Sequence, residues 1–368
     1  MDPRAQHLAR ILIDHSLRVK KNDRVLIATG DFTAIDLVKQ CQKLCLERGA
    51  HPHVDICGLH FQQGRSDAGG IFRHALEHGH RSYRRTMPEP VKASLAWATK
   101  ILSIVTVHKP AFLDGLDSAH IMEWKGARSP FMHAITRKDW VLTKFPTVGQ
   151  AKLAGMSLPA FTDFFYQACV VDYAAQGRRI KKLQGILDKG SWVHIVAPGT
   201  DLRLGIRGRL ASGAESGRHN IPDGECFLGP RETQTEGHIT FELPQCYDGK
   251  VVEGIRLEFK GGKIVKFSAK KNASHLRTLL EAHPGNRRFG ELGIGMNDRI
   301  TRYMQDILFD EKIMGTVHLA IGRSYDYVRG GGKNKGTIHW DLVKDLRSKG
   351  TRVTVDGRAI IADGKVLV

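Results

Sequence analysis

Arg24-Val25-Leu26-Ile27-Ala28 is, after its first residue, an apolar run too short for a helix of its own and rich in strand formers. Leu37, Val38, Cys41, Leu44 and Cys45 then recur at helical spacing, closing near Gly49, and His53-Val54-Asp55-Ile56-Cys57 reads as a second strand. A strand, a helix and a strand in this order need a crossover connection, so the stretch predicts a parallel α/β unit. Upstream, Pro3 to Leu17 carries Leu8, Ile11 and Leu12 at helical spacing with a proline near its start. Downstream, Ile101 to Val107 and Trp140-Val141-Leu142-Thr143 add two apolar strands, with a turn at Pro146, and Ser157 to about Leu183 reads as one long helix or two.

The pattern changes near Lys189-Gly190. Short strands separated by glycines follow at Trp192 to Val196, Leu202 to Ile206, His238 to Leu243, Ile255 to Phe259 and Ile264 to Ser268. Asp248-Gly249 and Gly261-Gly262 fit hairpin turns, and Ala273 to Ala282 fits a helix. The expected architecture is an α/β N-terminal domain over residues 1–188 and a mainly antiparallel β (α+β) catalytic domain over residues 189–368. The 368 residues suit two domains, and the 41% hydrophobic and 26% charged content is that of ordinary globular chains.

No apolar run is long enough to span a bilayer, and Met1-Asp2-Pro3-Arg4 lacks the apolar core of a secretion signal. The expected location is therefore cytoplasmic, with no membrane partner. Cys41, Cys45, Cys57, Cys169, Cys226 and Cys246 form no C-x-x-C pair and read as reduced thiols. The net charge of +18 raises the question of nucleic acid. The basic residues are spread along the chain, however. Dense spots such as Arg178-Arg179 with Lys181-Lys182 read as solvated helix faces, and the recognition motifs are missing, so no nucleic-acid partner is expected.

The candidate chemistry lies in the second half. In His339-Trp340-Asp341 a strand would turn His339 and Asp341 to one face and Trp340 to the other, which makes the first pair natural metal ligands. Such a triplet is common by chance. In Thr316-Val317-His318-Leu319-Ala320 the same alternation sends Val317 and Leu319 to the core and His318 to the opposite face. A lone histidine there is more often structural than a ligand. Phe309-Asp310-Glu311 puts two acids in a turn before it, and Ser324-Tyr325 follows it. Glu225 sits after Asn220-Ile221-Pro222-Asp223-Gly224, and Glu291 within Gly290-Glu291-Leu292-Gly293-Ile294-Gly295. An acid in so apolar a strand needs a partner, either an arginine or a metal ion.

These segments in this order resemble the M29 family of metallopeptidases, of the thermophilic aminopeptidase T type. The resemblance covers nearly the whole chain. It is carried by Arg24-Val25-Leu26-Ile27, Trp140 to Thr147, Ala154-Gly155-Met156-Ser157, Pro198-Gly199-Thr200-Asp201-Leu202, Asn220 to Glu225, Val252-Glu253-Gly254, Phe309-Asp310-Glu311, His318 to Gly322 and Ile338-His339-Trp340-Asp341. It implies a dinuclear aminopeptidase acting on peptides with a free N-terminus by metal-hydroxide attack on the first peptide bond. It also implies a homodimer. The matching ligand positions are Glu225, Glu291, Glu311, His318, His339 and Asp341, with Tyr325 near the ions. Glu311 and His318 stand farther apart here than in the family pattern. The carboxylate and imidazole set suits two divalent ions per chain, zinc, cobalt or manganese.

Two rival readings remain in the residues. His74-Ala75-Leu76-Glu77-His78 matches the H-x-x-E-H of inverzincins, or else is an exposed helix rich in histidine. His318, His339 and Asp341 alone would suit a mononuclear non-haem iron dioxygenase that opens hydroxylated pyridine rings, as some proteins of this fold do. Glu225 and Glu291 discriminate, because a mononuclear centre has no use for two further buried acids.

Overall fold

The computed structural model describes residues 2–56, 70–109, 113, 115–214, 216–247, 250–325 and 329–368. Cys57 and the Asp248-Gly249 turn lie outside them. The chain divides into two compact units, Met1–Val170 with Gly217–Pro222, and Val171–Ser216 with Asp223–Val368. The division expected after residue 188 thus falls at Val170, and a short later segment returns to the first unit. The reason is packing. The helix Tyr173–Lys189 buries Ile180, Leu183 and Leu187 in the hydrophobic core of the second unit, although it precedes the compositional change at Lys189-Gly190.

The first unit is the α/β layer predicted from Arg24 onward. Its strands run in the order His51–Ile56, Arg24–Thr29, Lys100–Val105, Asp139–Lys144 and Asn220–Ile221, all parallel. The helix Ile35–Glu47 joins the first two in sequence and buries Leu37, Val38, Cys41, Leu44 and Cys45, the residues whose spacing announced it. Pro3–Arg10 is helical as read, and Asp2 caps it by accepting from the Arg4 amide. The continuation Ile11–Ser16 is wound more loosely, as a π-helix. Cys41, Cys45 and Cys169 are buried free thiols, as is Cys226 in the second unit.

The second unit holds an eight-stranded and a four-stranded sheet. The larger is antiparallel in the order Lys263–Ser268, Ile255–Lys260, Thr235–Phe241, Thr200–Gly205, Trp192–Ala197, Arg352–Val355, Arg358–Ala362 and Lys365–Val366. The smaller is antiparallel in the order His339–Asp345, Thr316–Gly322, Phe289–Gly295 and Glu225–Leu228. Both sheets feed one hydrophobic core. Each Leu, Ile or Val buried there contributes about 1.5–3 kcal/mol over leaving it in water. Among the described residues, no helix is long and apolar enough to cross a membrane.

Candidate metal centre

The four-stranded sheet separates its two faces cleanly. Residues paired directly across an antiparallel ladder point the same way, and neighbours along a strand point opposite ways. On one face lie Cys226, Leu228, Leu292, Ile294, Val317, Leu319, Ile321, Trp340 and Leu342, all in the core. The other face carries Glu225, Glu291, His318, His339 and Asp341, contributed by all four strands.

Strict alternation would not give this. Phe289 and Glu291 are two apart on one strand and ought to share a face. A bulge between them breaks the register: Phe289 pairs with Ile321, while Glu291 pairs with Ala320. Phe289 therefore stacks on Phe259 in the core at 4.5 Å between ring centroids, and Glu291 turns to the opposite face. Gly290 makes the bulge possible, because a Cβ there would meet the Gly322 carbonyl oxygen at 2.3 Å.

The side chains converge. His318 Nε2 lies 3.2 Å from Glu291 Oε1 and 3.2 Å from Glu225 Oε2. Glu291 Oε2 lies 4.0 Å from His339 Nε2, which is 3.4 Å from Asp341 Oδ2. Glu311 follows the short helix Ile307–Asp310 and joins His318 and Asp341. Three clusters result: Glu225, Glu291 and His318; Glu291, His339 and Asp341; Glu311, His318 and Asp341, each with ligand atoms within 4.8 Å of one another. Every cluster joins one imidazole to two carboxylates. All six residues expected from the sequence come together.

Glycines make the space. Gly293 pairs with His318, and a Cβ on it would stand 2.0 Å from His318 Nε2. Gly295 lets the segment after Glu311 approach, since a Cβ there would meet the Ile313 carbonyl oxygen at 2.0 Å. Gly293→Ala should therefore push the imidazole out from between the two glutamates. We expect a loss of about 1–3 kcal/mol of stability from overpacking, together with loss of the ion held at His318. Denaturant melts and elemental analysis would check this, and an alanine variant with full metal content would refute it.

Electrostatics follow from burial and crowding. Burial pushes the Glu225 carboxyl up to about 8, helped by Glu311 and Glu291 and opposed by Lys312. Glu311 is raised for the same reason. Burial alone would lower the imidazoles, yet Glu291 and the surrounding acids raise His318 to about 9, and Asp341 with Glu291 raises His339 to about 10. Asp341 resists burial and falls to about 2 because His339 lies against it. Such a site holds positive charge strongly, so protons and a cation compete for the same atoms. His339 Nδ1 donates to the Arg323 carbonyl oxygen at 2.7 Å, which leaves Nε2 facing the carboxylates. His318 Nδ1 is buried without a hydrogen-bond partner.

Two carboxylate oxygens decide whether a metal fits. Glu225 Oε2 and Asp341 Oδ1 are buried with no hydrogen-bond partner. An unsatisfied buried carboxylate oxygen is costly, and a divalent cation among hard oxygen and imidazole donors satisfies it. Tyr325 packs its ring 4.8 Å from that of His339 and stays partly exposed.

Sequence reasoning missed Lys312. It is fully buried and donates to Glu225 Oε1 at 2.8 Å and to Glu311 Oε1. The sign in the sequence was a lysine next to a candidate ligand, followed by the apolar pair Ile313-Met314. The rival H-x-x-E-H lies on the helix Ile71–His78, where Glu77 pairs with Arg73 at 2.7 Å and both histidines are exposed. Those residues are the exposed helix face of the alternative reading.

The family described as thermophilic metalloprotease (M29) matches residues 1–366. Aminopeptidase T of Thermus aquaticus is 26% identical, with 94% of this chain and 95% of that protein aligned. Aminopeptidase PepS of Streptococcus thermophilus is 29% identical over 42% of each. Among solved structures, wild-type AmpT from Thermus thermophilus superposes with a TM-score of 0.82 at 22% identity, covering 99% of both chains. A 2,5-dihydroxypyridine dioxygenase from Pseudomonas putida KT2440 gives 0.61 at 14% identity, covering 99% of this chain and 97% of that one.

Proposed function

The chain belongs to the M29 family of metallopeptidases, and from that premise we propose that it is a metal-dependent aminopeptidase with two divalent ions per chain held by Glu225, Glu291, Glu311, His318, His339 and Asp341. The observation that carries the two-ion reading is Glu291. Its two carboxylate oxygens face different imidazoles, Oε1 toward His318 and Oε2 toward His339, which is how a bridging carboxylate is placed. Glu225 and Glu311 complete the His318 side, and Asp341, which joins a cluster with each imidazole, completes the His339 side. When bound, the ions supply Lewis acidity, both to water and to the scissile carbonyl.

The protein's own groups do the rest. The carboxylates give the free α-amine of a peptide an anionic surface, which a blocked amine does not seek. The Arg323 carbonyl oxygen fixes the ring of His339. Tyr325, its ring tilted against that of His339, offers a phenol to the oxyanion of the tetrahedral intermediate. The dioxygenase reading would use His318, His339 and Asp341 as one face. The clusters argue against it, since each holds a single imidazole and a second carboxylate.

Elemental analysis beside a peptide assay tests the proposal. We expect two equivalents of zinc, cobalt or manganese per chain, loss of hydrolysis on chelation and recovery on adding the ion back. Peptides with a free N-terminus should be cut and their N-acetylated forms should not. Equal cleavage of blocked peptides would remove the exopeptidase assignment. One iron per chain with ring-cleaving activity would establish the dioxygenase instead.

A further inference from the structure

Lys312 has no place in the ligand set, yet its side chain is fully enclosed and its ammonium sits between two members of that set. A lysine buried this completely is rare and needs charged partners. It takes one oxygen from each neighbour: Glu225 Oε1 and Glu311 Oε1. Glu225 Oε2 is left over, 3.2 Å from His318 Nε2 and without a hydrogen-bond partner. The ammonium therefore anchors one oxygen of Glu225 and leaves the other directed at the imidazole.

The backbone around it is built to hold this position. The Lys312 amide donates to the Phe309 carbonyl at 3.0 Å, and its own carbonyl accepts from the Asn297 amide at 2.9 Å. Ile313 bridges to Asn297, and Gly295 admits the segment closely. Glu311 and Lys312 are thus clamped to the end of the strand that bears Glu291.

We infer that Lys312 is a positioning residue for one of the two ions, the one on the His318 side, where Glu225 and Glu311 each share a cluster with that imidazole, and that it acts by holding the two glutamates rather than by contributing its charge. This rests on the ligand set proposed above. It also means that the two ion sites differ: Lys312 pairs with Glu225 and Glu311, which join only the clusters that contain His318, while among the described residues no such ammonium pairs with Glu291 or Asp341, the carboxylates clustered with His339.

Charge and positioning predict opposite signs, which makes the inference testable. Removing a cation next to a cation site strengthens ion binding if only charge matters. Removing a holder of the ligands weakens it, by roughly 10–100-fold for a lost outer partner. The experiment is titration of the metal-stripped, full-length protein with Zn2+ or Co2+, read by calorimetry or cobalt absorption, for wild type and Lys312→Met. Wild type should show two binding steps. If it shows none, the ligand set itself fails and Lys312 is moot. If wild type shows two, Lys312→Met should weaken one step by about 10–100-fold and leave the other close to its wild-type value. Two steps of unchanged affinity, a tighter step, or equal weakening of both would overturn the inference. Should the methionine variant fail to fold, Lys312→Gln keeps a donor, on an uncharged side chain one bond shorter. It should give an intermediate loss at the same single step, and wild-type affinity at both steps would again refute the role.

Discussion

Glu291→Gln should strip the protein of both ions and of its hydrolytic activity. The variant keeps the size and shape of the side chain, so the strand and its buried neighbours are undisturbed. It removes a negative charge that faces His318 through one oxygen and His339 through the other. A neutral amide does not offset two cations, and its NH2 end would turn a donor toward an ion. Losing an outer partner costs about 10–100-fold in metal affinity, so losing a shared first partner should cost more. Elemental analysis should find neither ion, and activity should fall to that of the chelated wild type. One ion retained at full occupancy would show that Glu291 serves a single site. Two retained ions would take it out of the centre.

The second large effect is expected at Tyr325. If its hydroxyl donates to the oxyanion, Tyr325→Phe should lower kcat by about a hundredfold or more, the usual consequence of losing one such donor. KM should hardly move, because the interaction strengthens only in the transition state. Metal content should also stay put, since phenylalanine keeps the ring contact with His339. A variant that loses an ion would make Tyr325 a ligand. A variant with normal rate and normal metal would make it a packing residue.

Much of this was legible in the chain. Alternation placed Val317 and Leu319 in the core and His318 opposite them, and the same reading separated Trp340 from His339 and Asp341. What was not legible had physical reasons. Period-two alternation puts Phe289 and Glu291 on one face, and only the bulge at Gly290 parts them. Ser118–Thr136 forms a helix despite Gly126 and Pro130 inside it, residues that disfavour a helix interior when read locally. The helix Tyr173–Lys189 belongs to the second unit because of what it buries, which composition does not report. Lys312 follows two acids and reads as a surface charge until its enclosure is seen.

The bulge has a consequence for how this segment tolerates change. Substitutions within Phe289–Gly295 alter one side chain at a time, whereas a residue lost or gained alters the facing of all that follow it. Gly290 is the exception, because it is the extra residue of the bulge: without it Phe289 and Glu291 would be adjacent and would still point to opposite faces. Deleting Gly293 instead would make Leu292 and Ile294 adjacent, and one of the two would be driven out of the core unless the strands on both sides slid. The stretch from Glu291 to Gly295 therefore has a fixed length for the same reason that a gear has a fixed number of teeth. Anyone transplanting this centre onto another antiparallel sheet must carry over the spacing from Glu291 to Gly295 along with the ligands.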